Sequence, residues 1–304
     1  MNIRGLKKEA NEIFQQDRQQ ARKIFLIHTA IAVGVSLLLA LISDILDRTV
    51  SSGGGLRGMD TQAVLSTAQV VLQLASSAAM PFWSAGLIFA VMGYMRRNPV
   101  QLRDLLEGFR RFVPILTSGL MMGLQYLARG LLSVYLSSVL VMATPFAAPA
   151  YKLAVMLEQN PQLDMMSVQV EGITGFYVAT ILLFVLVFGA LALPVYYRYR
   201  MVNYIIMDEG RAGGLRAMLQ SRLMMHRRRW KLFRLDLSFW WYYALELLLS
   251  AVSLGSLLTE LLGVMLPISQ DAVYWIFQIV AVTGHLALYS FVGPKIEVTY
   301  ALCY

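Results

Sequence analysis

The stretch N-Y-I-I-M-D-E-G-R-A-G-G-L-R-A-M-L-Q-S-R-L-M-M-H-R-R-R-W-K-L-F-R-L-D-L-S-F-W-W, residues 203–241, is the longest polar and basic run between two apolar segments of this chain. Cationic loops collect on the cytoplasmic side of membrane proteins, so its charge assigns a side to everything around it. Gly210, Gly213 and Gly214 punctuate it. A helix is expected over 215–231, and residues 232–241 read as the entry to the next apolar segment. On that helix Leu215, Met218, Leu219 and Leu223 share one face, which Arg222, His226 and Arg229 continue in the same direction. A face passing from apolar to basic suits a helix lying on an anionic leaflet, with its cations near lipid phosphates.

Composition makes the same assignment. Of the 304 residues 58% are apolar and only 14% charged, well outside the range of soluble domains. The net charge of +8 would suggest nucleic acid in a soluble protein. Here the cluster Arg227, Arg228, Arg229, Trp230 and Lys231 abuts a membrane span, so nucleic-acid binding is set aside. The single cysteine, Cys303, excludes an intrachain disulfide and a cysteine-based zinc framework. His28, His226 and His285 contain no pair at metal-ligand spacing, and no metal or other cofactor is expected.

The resulting expectation is an all-α polytopic membrane helix bundle of about six transmembrane helices plus cytoplasmic amphipathic helices. Residues 1–23 form a basic amphipathic segment at the bilayer surface, with Leu6, Ala10, Ile13 and Phe14 on its apolar face. Residues 24–293 are one membrane domain with spans at about 24–43, 72–95, 114–142, 175–197, 237–262 and 272–292, and 294–304 are a cytoplasmic tail. The first span is read as a retained helix, because no clear cleavage site follows it. A flexible loop is expected over 47–60, a more polar helical extension over 62–71, a kink at Pro81, and a long external loop over 144–174 with a short helix near 151–159. Gly119 and Gly123 are a weak candidate packing face. Sorted by loop, 22 Lys and Arg fall on the side of the termini and three, Arg48, Arg57 and Lys152, on the other. Both termini are therefore expected in the cytoplasm.

Arg129 lies inside the third expected span, where an arginine costs about 2.5 to 3.5 kcal/mol, so a partner or a wet cavity is expected. Glu246 in the fifth span is a candidate partner. The alternative is an Arg129 that snorkels outward and a Glu246 bonded to a hydroxyl such as that of Ser250. His28, His285, Asp236 and Glu246 all fall in the cytoplasmic half of their spans, where they could serve a proton relay or simply pack. No phosphate loop, nucleophile elbow, H-E-x-x-H or dinucleotide fingerprint occurs, so no enzymatic activity is expected.

Residues 217–241 resemble the hallmark of a family of uncharacterised bacterial integral membrane proteins, domain of unknown function number nine hundred and seventy-five. The matching positions are Ser221, Met225, Trp230, Phe233, Leu235, Asp236, Leu237, Ser238 and Phe239. Asp104, Leu105, Leu106, Gly108, Phe109 and Arg110 resemble the family's second element, and Pro294, Ala301 and Tyr304 its closing one. Arg227, Lys295 and Cys303 depart from the pattern, which usually has glycine, tyrosine and phenylalanine there. The resemblance implies a bacterial cytoplasmic-membrane protein of about six helices and brings no activity or catalytic residues. Asp236 is expected to cap the fifth span or to pair with Arg234 or another loop cation. The function expected is that of a non-enzymatic membrane component contacting anionic lipid or a membrane protein partner. Ser221, Arg222, His226, Arg227, Arg228, Arg229, Trp230, Asp236 and Ser238 are its candidate motif and lipid-facing residues. The alternatives are a small-solute transporter or permease component using Arg129, Glu246, His28 and His285, and, behind it, an intramembrane enzyme.

Overall fold

The computed structural model describes residues 3–16, 18–52, 59–98, 100–159, 172–210, 212–253 and 270–304. Every element among them is helical: α1 (Ile3–Gln16), α2 (Arg18–Ser52), α3 (Met59–Met95), a 3-10 turn (Leu102–Leu106), α4 (Glu107–Arg110), α5 (Phe112–Met142), a second 3-10 turn (Pro145–Ala147), α6 (Ala148–Gln159), α7 (Ile173–Tyr199), α8 (Val202–Glu209), α9 (Gly214–Met225), α10 (Arg229–Leu237), α11 (Trp240–Ser253), α12 (Gln270–Phe291) and α13 (Gly293–Ala301). The protein is an all-α helical bundle.

Among the described residues four helical stretches are long and apolar enough to cross a membrane: Arg18–Leu39, Ser77–Met95, Phe112–Met142 and Ile173–Glu209. They overlap the first four expected spans. The sixth expected span becomes one limb of a bent pair, Trp275–Phe291 with Gly293–Ala301, folded by 45°. The fifth is described only as far as Ser253, and residues 254–262 lie outside the described residues. The outward leucines of α5, Leu120, Leu124, Leu127 and Leu131, are exposed, as are Ile181, Leu182, Val185 and Leu186 of α7. Continuous apolar surface of this extent suits a membrane protein.

Several connections differ from expectation. Helix α2 runs on to Ser52 and α3 begins at Met59, so helix occupies most of the expected 47–60 loop, and 53–58 lie outside the described residues. The expected outer loop holds Pro145–Ala147 and α6, while 160–171 lie outside the described residues. A β-carbon at Gly119 or Gly123 would meet nothing within 4 Å, so that pair is no packing face. Helix α5 packs on α7 and carries the buried Ser133 and Ser137. Their hydroxyls bond to carbonyls of their own helix, which lets them sit against a neighbour without stranding a polar group.

The core lies at the end of the bundle where the termini meet. Met201, Val202, Tyr204, Ile205, Ile206 and Met207 are almost inaccessible. This part of the polar stretch is thus the opposite of a loop: residues 204–207 are apolar through a full helical turn and must be covered on every side, and α3, α5 and α9 cover α8. Two glycines set the approach of α3 to the 3-10 turn and α4. A β-carbon at Gly86 would sit 1.8 Å from the Leu105 carbonyl oxygen, and one at Gly108 would sit 1.9 Å from that of Phe82. With the backbones so close, Phe109 and Phe112 stack around Phe82 at 5.7 and 4.8 Å between ring centres. Asp104 fixes the start of the turn by accepting the Gln101 amide at 2.8 Å.

The terminal segments are packed rather than peripheral. Ala10 and Phe14 of α1 are buried, α1 lies on α13, and Tyr94 Oη donates to the Ile13 carbonyl at 2.9 Å. The apolar face expected to meet lipid is therefore spent on protein, because α13 offers it a matching surface. Residues 294–304, expected as a cytoplasmic tail, form most of α13, with Ile296, Val298, Thr299, Tyr300 and Ala301 buried. Pro294 is at the helix start, where its missing amide costs nothing.

Candidate functional site

Helical spacing brings the polar side chains of this core together. Tyr197, Arg200 and Tyr204 follow one another by three and four residues along the α7–α8 junction, and Glu297, Tyr300 and Tyr304 repeat the spacing along α13 and its end. Asp236 faces them from α10. Its Oδ2 accepts the Tyr197 hydroxyl at 2.6 Å and its Oδ1 accepts the Tyr300 hydroxyl. The hydroxyls of Tyr243 and Tyr300 lie 2.7 Å apart. Because the Tyr300 proton is committed to Asp236, Tyr243 is the donor in that pair. Tyr204 donates to Glu297 Oε2 at 3.2 Å. The Arg200 guanidinium lies over the rings of Tyr300 and Tyr196, at 4.5 and 4.8 Å from their centres. It is the cation whose field Asp236 and Glu297 share. Tyrosine hydroxyls thus satisfy carboxylates that would otherwise be costly to bury.

Asp236 consequently is neither a helix cap nor a partner of Arg234. It sits near the C-terminal end of α10, and its oxygens are taken by two tyrosines from other helices. Arg234 instead lies over Trp230, 5.7 Å from the ring centre. The helix expected over 215–231 is interrupted at 226–228, between α9 and α10. Four successive residues from 226 cover most of a helix's circumference, so an unbroken helix against protein would bury one of the cations. The turn leaves His226, Arg227 and Arg228 exposed.

The apolar face of α9 is divided as well. Met218 is buried beside Ala217, Ser221 and Met225, whereas Leu215, Leu219 and Leu223 are 57%, 61% and 76% exposed. Gly214 permits the contact on the buried side, since a β-carbon there would lie 2.4 Å from the Pro114 carbonyl oxygen of α5. Ser221 is fully buried and donates to the Arg198 carbonyl at 3.0 Å. Arg222 is exposed, Arg229 is half-buried, and the exposed Trp230 stacks on Phe233 at 5.0 Å. Ser238 donates to the Leu235 carbonyl at 2.6 Å, and its own carbonyl accepts Lys7 Nζ at 2.9 Å. Burial lowers the Lys7 pKa, and the same ammonium stands 3.9 Å from the centre of the Phe239 ring.

The intramembrane candidates divide into two groups. Arg129 and Glu246 do not pair. Arg129 Nη1 donates to the Gln125 carbonyl of its own helix at 2.8 Å, and Glu246 Oε1 accepts the Tyr289 hydroxyl at 2.7 Å. His28 and His285, by contrast, line one cavity of about 720 Å³ between α2, α3, α11, α12 and α13, together with Tyr289 and Glu297. Glu246 joins this group through Tyr289, and Asp236 belongs to the neighbouring tyrosine cluster. Sequence reasoning missed Arg200, Glu297 and the tyrosines. The available signal was the spacing of Glu297, Tyr300 and Tyr304, which marks a helix face in residues taken for a tail.

Comparison of the chain with curated proteins and with solved structures returns no match in either. The family described as "Protein of unknown function (DUF975)" matches residues 1–304, from the first residue to the last. The motif residues traced above, from Gly108 against Phe82 to Asp236 between Tyr197 and Tyr300, are thus those of a chain that belongs to the DUF975 family.

Proposed function

We propose that this is a non-enzymatic, multi-pass protein of the bacterial cytoplasmic membrane, with both termini in the cytoplasm, whose α9–α10 face holds anionic lipid. The observation that carries the reading is the exposed stripe Leu215, Leu219, Leu223, bordered by the exposed Arg216 and Arg222 and followed by Arg227 and Arg228. None of these arginines forms an ion pair with a described residue. Leucines at every fourth residue give a narrow apolar edge for the acyl boundary, and each cation near an anionic surface contributes about 1 kcal/mol. Trp230, Trp240 and Trp241 are exposed on the same segment, as suits the headgroup level.

The test is lipid retention. Full-length protein is extracted in native lipid particles, and the bound lipid is compared between wild type and the triple variant Arg222→Gln, Arg227→Gln, Arg228→Gln. The variant should lose most of its enrichment in anionic lipid while the protein stays folded. Unchanged enrichment would remove the basis of the reading, and a reporter at Gly213 that reads external would remove the topology.

A further inference from the structure

Going beyond the lipid-facing surface, we infer that the cavity between α2, α3 and α12 is a binding site for a primary ammonium carried on an apolar body. The hydrogen-bonding groups of the cavity select this ligand. At its α13 end stand Glu297, Tyr289, His285 and His28. The Glu297 carboxylate accepts only, and one of its oxygens is engaged by Tyr204. His285 Nδ1 lies 2.8 Å from the Ala281 carbonyl oxygen, which can only accept, so Nδ1 carries the proton and Nε2 is left as an acceptor. The Tyr289 proton is committed to Glu246 and its oxygen accepts the Tyr242 hydroxyl, so Tyr289 offers the cavity no donor. His28, stacked on Trp83 at 5.2 Å, has a buried Nε2 with no partner. An end rich in acceptors calls for a ligand that only donates, and an ammonium brings three N–H groups and no lone pair.

Charge and shape select the same chemistry. Asp236 and Glu297 share the field of Arg200, while Glu246 stands beside the cavity on Tyr289. Among the described residues no three His, Cys, Asp or Glu side chains gather as a metal site. Away from Glu297 the α2 wall turns aliphatic at Val33 and Leu37. Leu37 lies nine residues beyond His28 on α2, about 13 Å along the axis. Ser36, Met80 and Ser84 line the cavity and are exposed, which places an opening on the α2–α3 side. The ammonium sits at Glu297 and its apolar body runs toward that opening.

The full chain is placed in nanodiscs of phosphatidylcholine and phosphatidylglycerol, which carry no primary amine, and its unfolding temperature is followed against hexylamine, hexanol and hexanoate at pH 7. Hexylammonium should stabilise the protein at concentrations at least tenfold below those of the other two. Glu297→Gln should raise its half-maximal concentration at least tenfold. Because Glu297 also holds Tyr204, Ala32→Leu provides a second variant that fills the cavity wall and leaves every carboxylate in place, with the same loss expected. Glu158→Gln, exposed on α6, should bind as wild type does. Phosphatidylethanolamine added to the discs distinguishes the natural source: competition with hexylamine assigns a lipid headgroup and no competition a free amine, and either supports ammonium recognition. Equal stabilisation by hexanoate, or undiminished binding in both Glu297→Gln and Ala32→Leu, overturns it.

Discussion

Replacing Asp236 removes the acceptor that joins α7, α10 and α13. Its two oxygens take the Tyr197 and Tyr300 hydroxyls, and Tyr300 is in turn bonded by Tyr243. A hydrogen bond to a charged group contributes about 1.5 to 3 kcal/mol, and a buried hydroxyl left without a partner costs about 1 to 3 kcal/mol. Asp236→Ala strands two hydroxyls and is expected to destabilise by about 3 to 5 kcal/mol. Asp236→Asn keeps one acceptor and turns the other into a donor that Tyr197 can accept, so about 1 to 2 kcal/mol is expected. The informative quantity is the coupling. Tyr197→Phe alone should cost about 1.5 to 3 kcal/mol, but in the Asp236→Ala background it removes a hydroxyl that has already lost its partner and should be close to neutral. The assay is unfolding of the purified chain in detergent, followed by tryptophan emission, on the four proteins of the cycle. Additive costs, with a coupling below about 0.5 kcal/mol, would refute the arrangement and return Asp236 to the role of a helix cap.

Further outcomes follow from other parts of the fold. Gly108→Ala places a β-carbon 1.9 Å from the Phe82 carbonyl oxygen, so backbone must separate, at about 1 to 3 kcal/mol or more, whereas Gly119→Ala and Gly123→Ala meet open space inside α5 and should leave thermal stability unchanged or raise it. Arg129→Gln combined with Glu246→Gln should behave additively in the same assay, since their partners are the Gln125 carbonyl and the Tyr289 hydroxyl. Burial lifts the Cys303 thiol from 9.0 to about 11, with Asp236 adding to the shift, so at pH 8 its thiolate fraction is lower by about a hundredfold and alkylation should be correspondingly slow. The folded chain keeps a proton that the unfolded chain releases near pH 9, so this contribution to stability is complete below that pH and is lost as the pH climbs toward 11. Unfolding midpoints of wild type and Cys303→Ala, compared between pH 8 and 11, measure it.

Hydropathy and charge are local, cumulative properties, and for that reason the sequence by itself determined the helical class, the positions of the long apolar segments, the basic character of 203–241 and the family. The same local reading located His28 and His285 at corresponding depths of two helices, and they do share a cavity. What it could not decide is which side chain meets which across the bundle. Asp236 bonds to tyrosines 39 and 64 residues away, and Tyr204 to a glutamate 93 residues on. Periodicity placed Leu215 and Met218 on one face of α9, and only the packing of α9 against α5 and α8 buried one and left the other exposed. The N-terminal amphipathic pattern was equally consistent with lipid and with protein. An apolar helix face records that it must be covered but not by what, and here α13, the last helix in the chain, decided the matter.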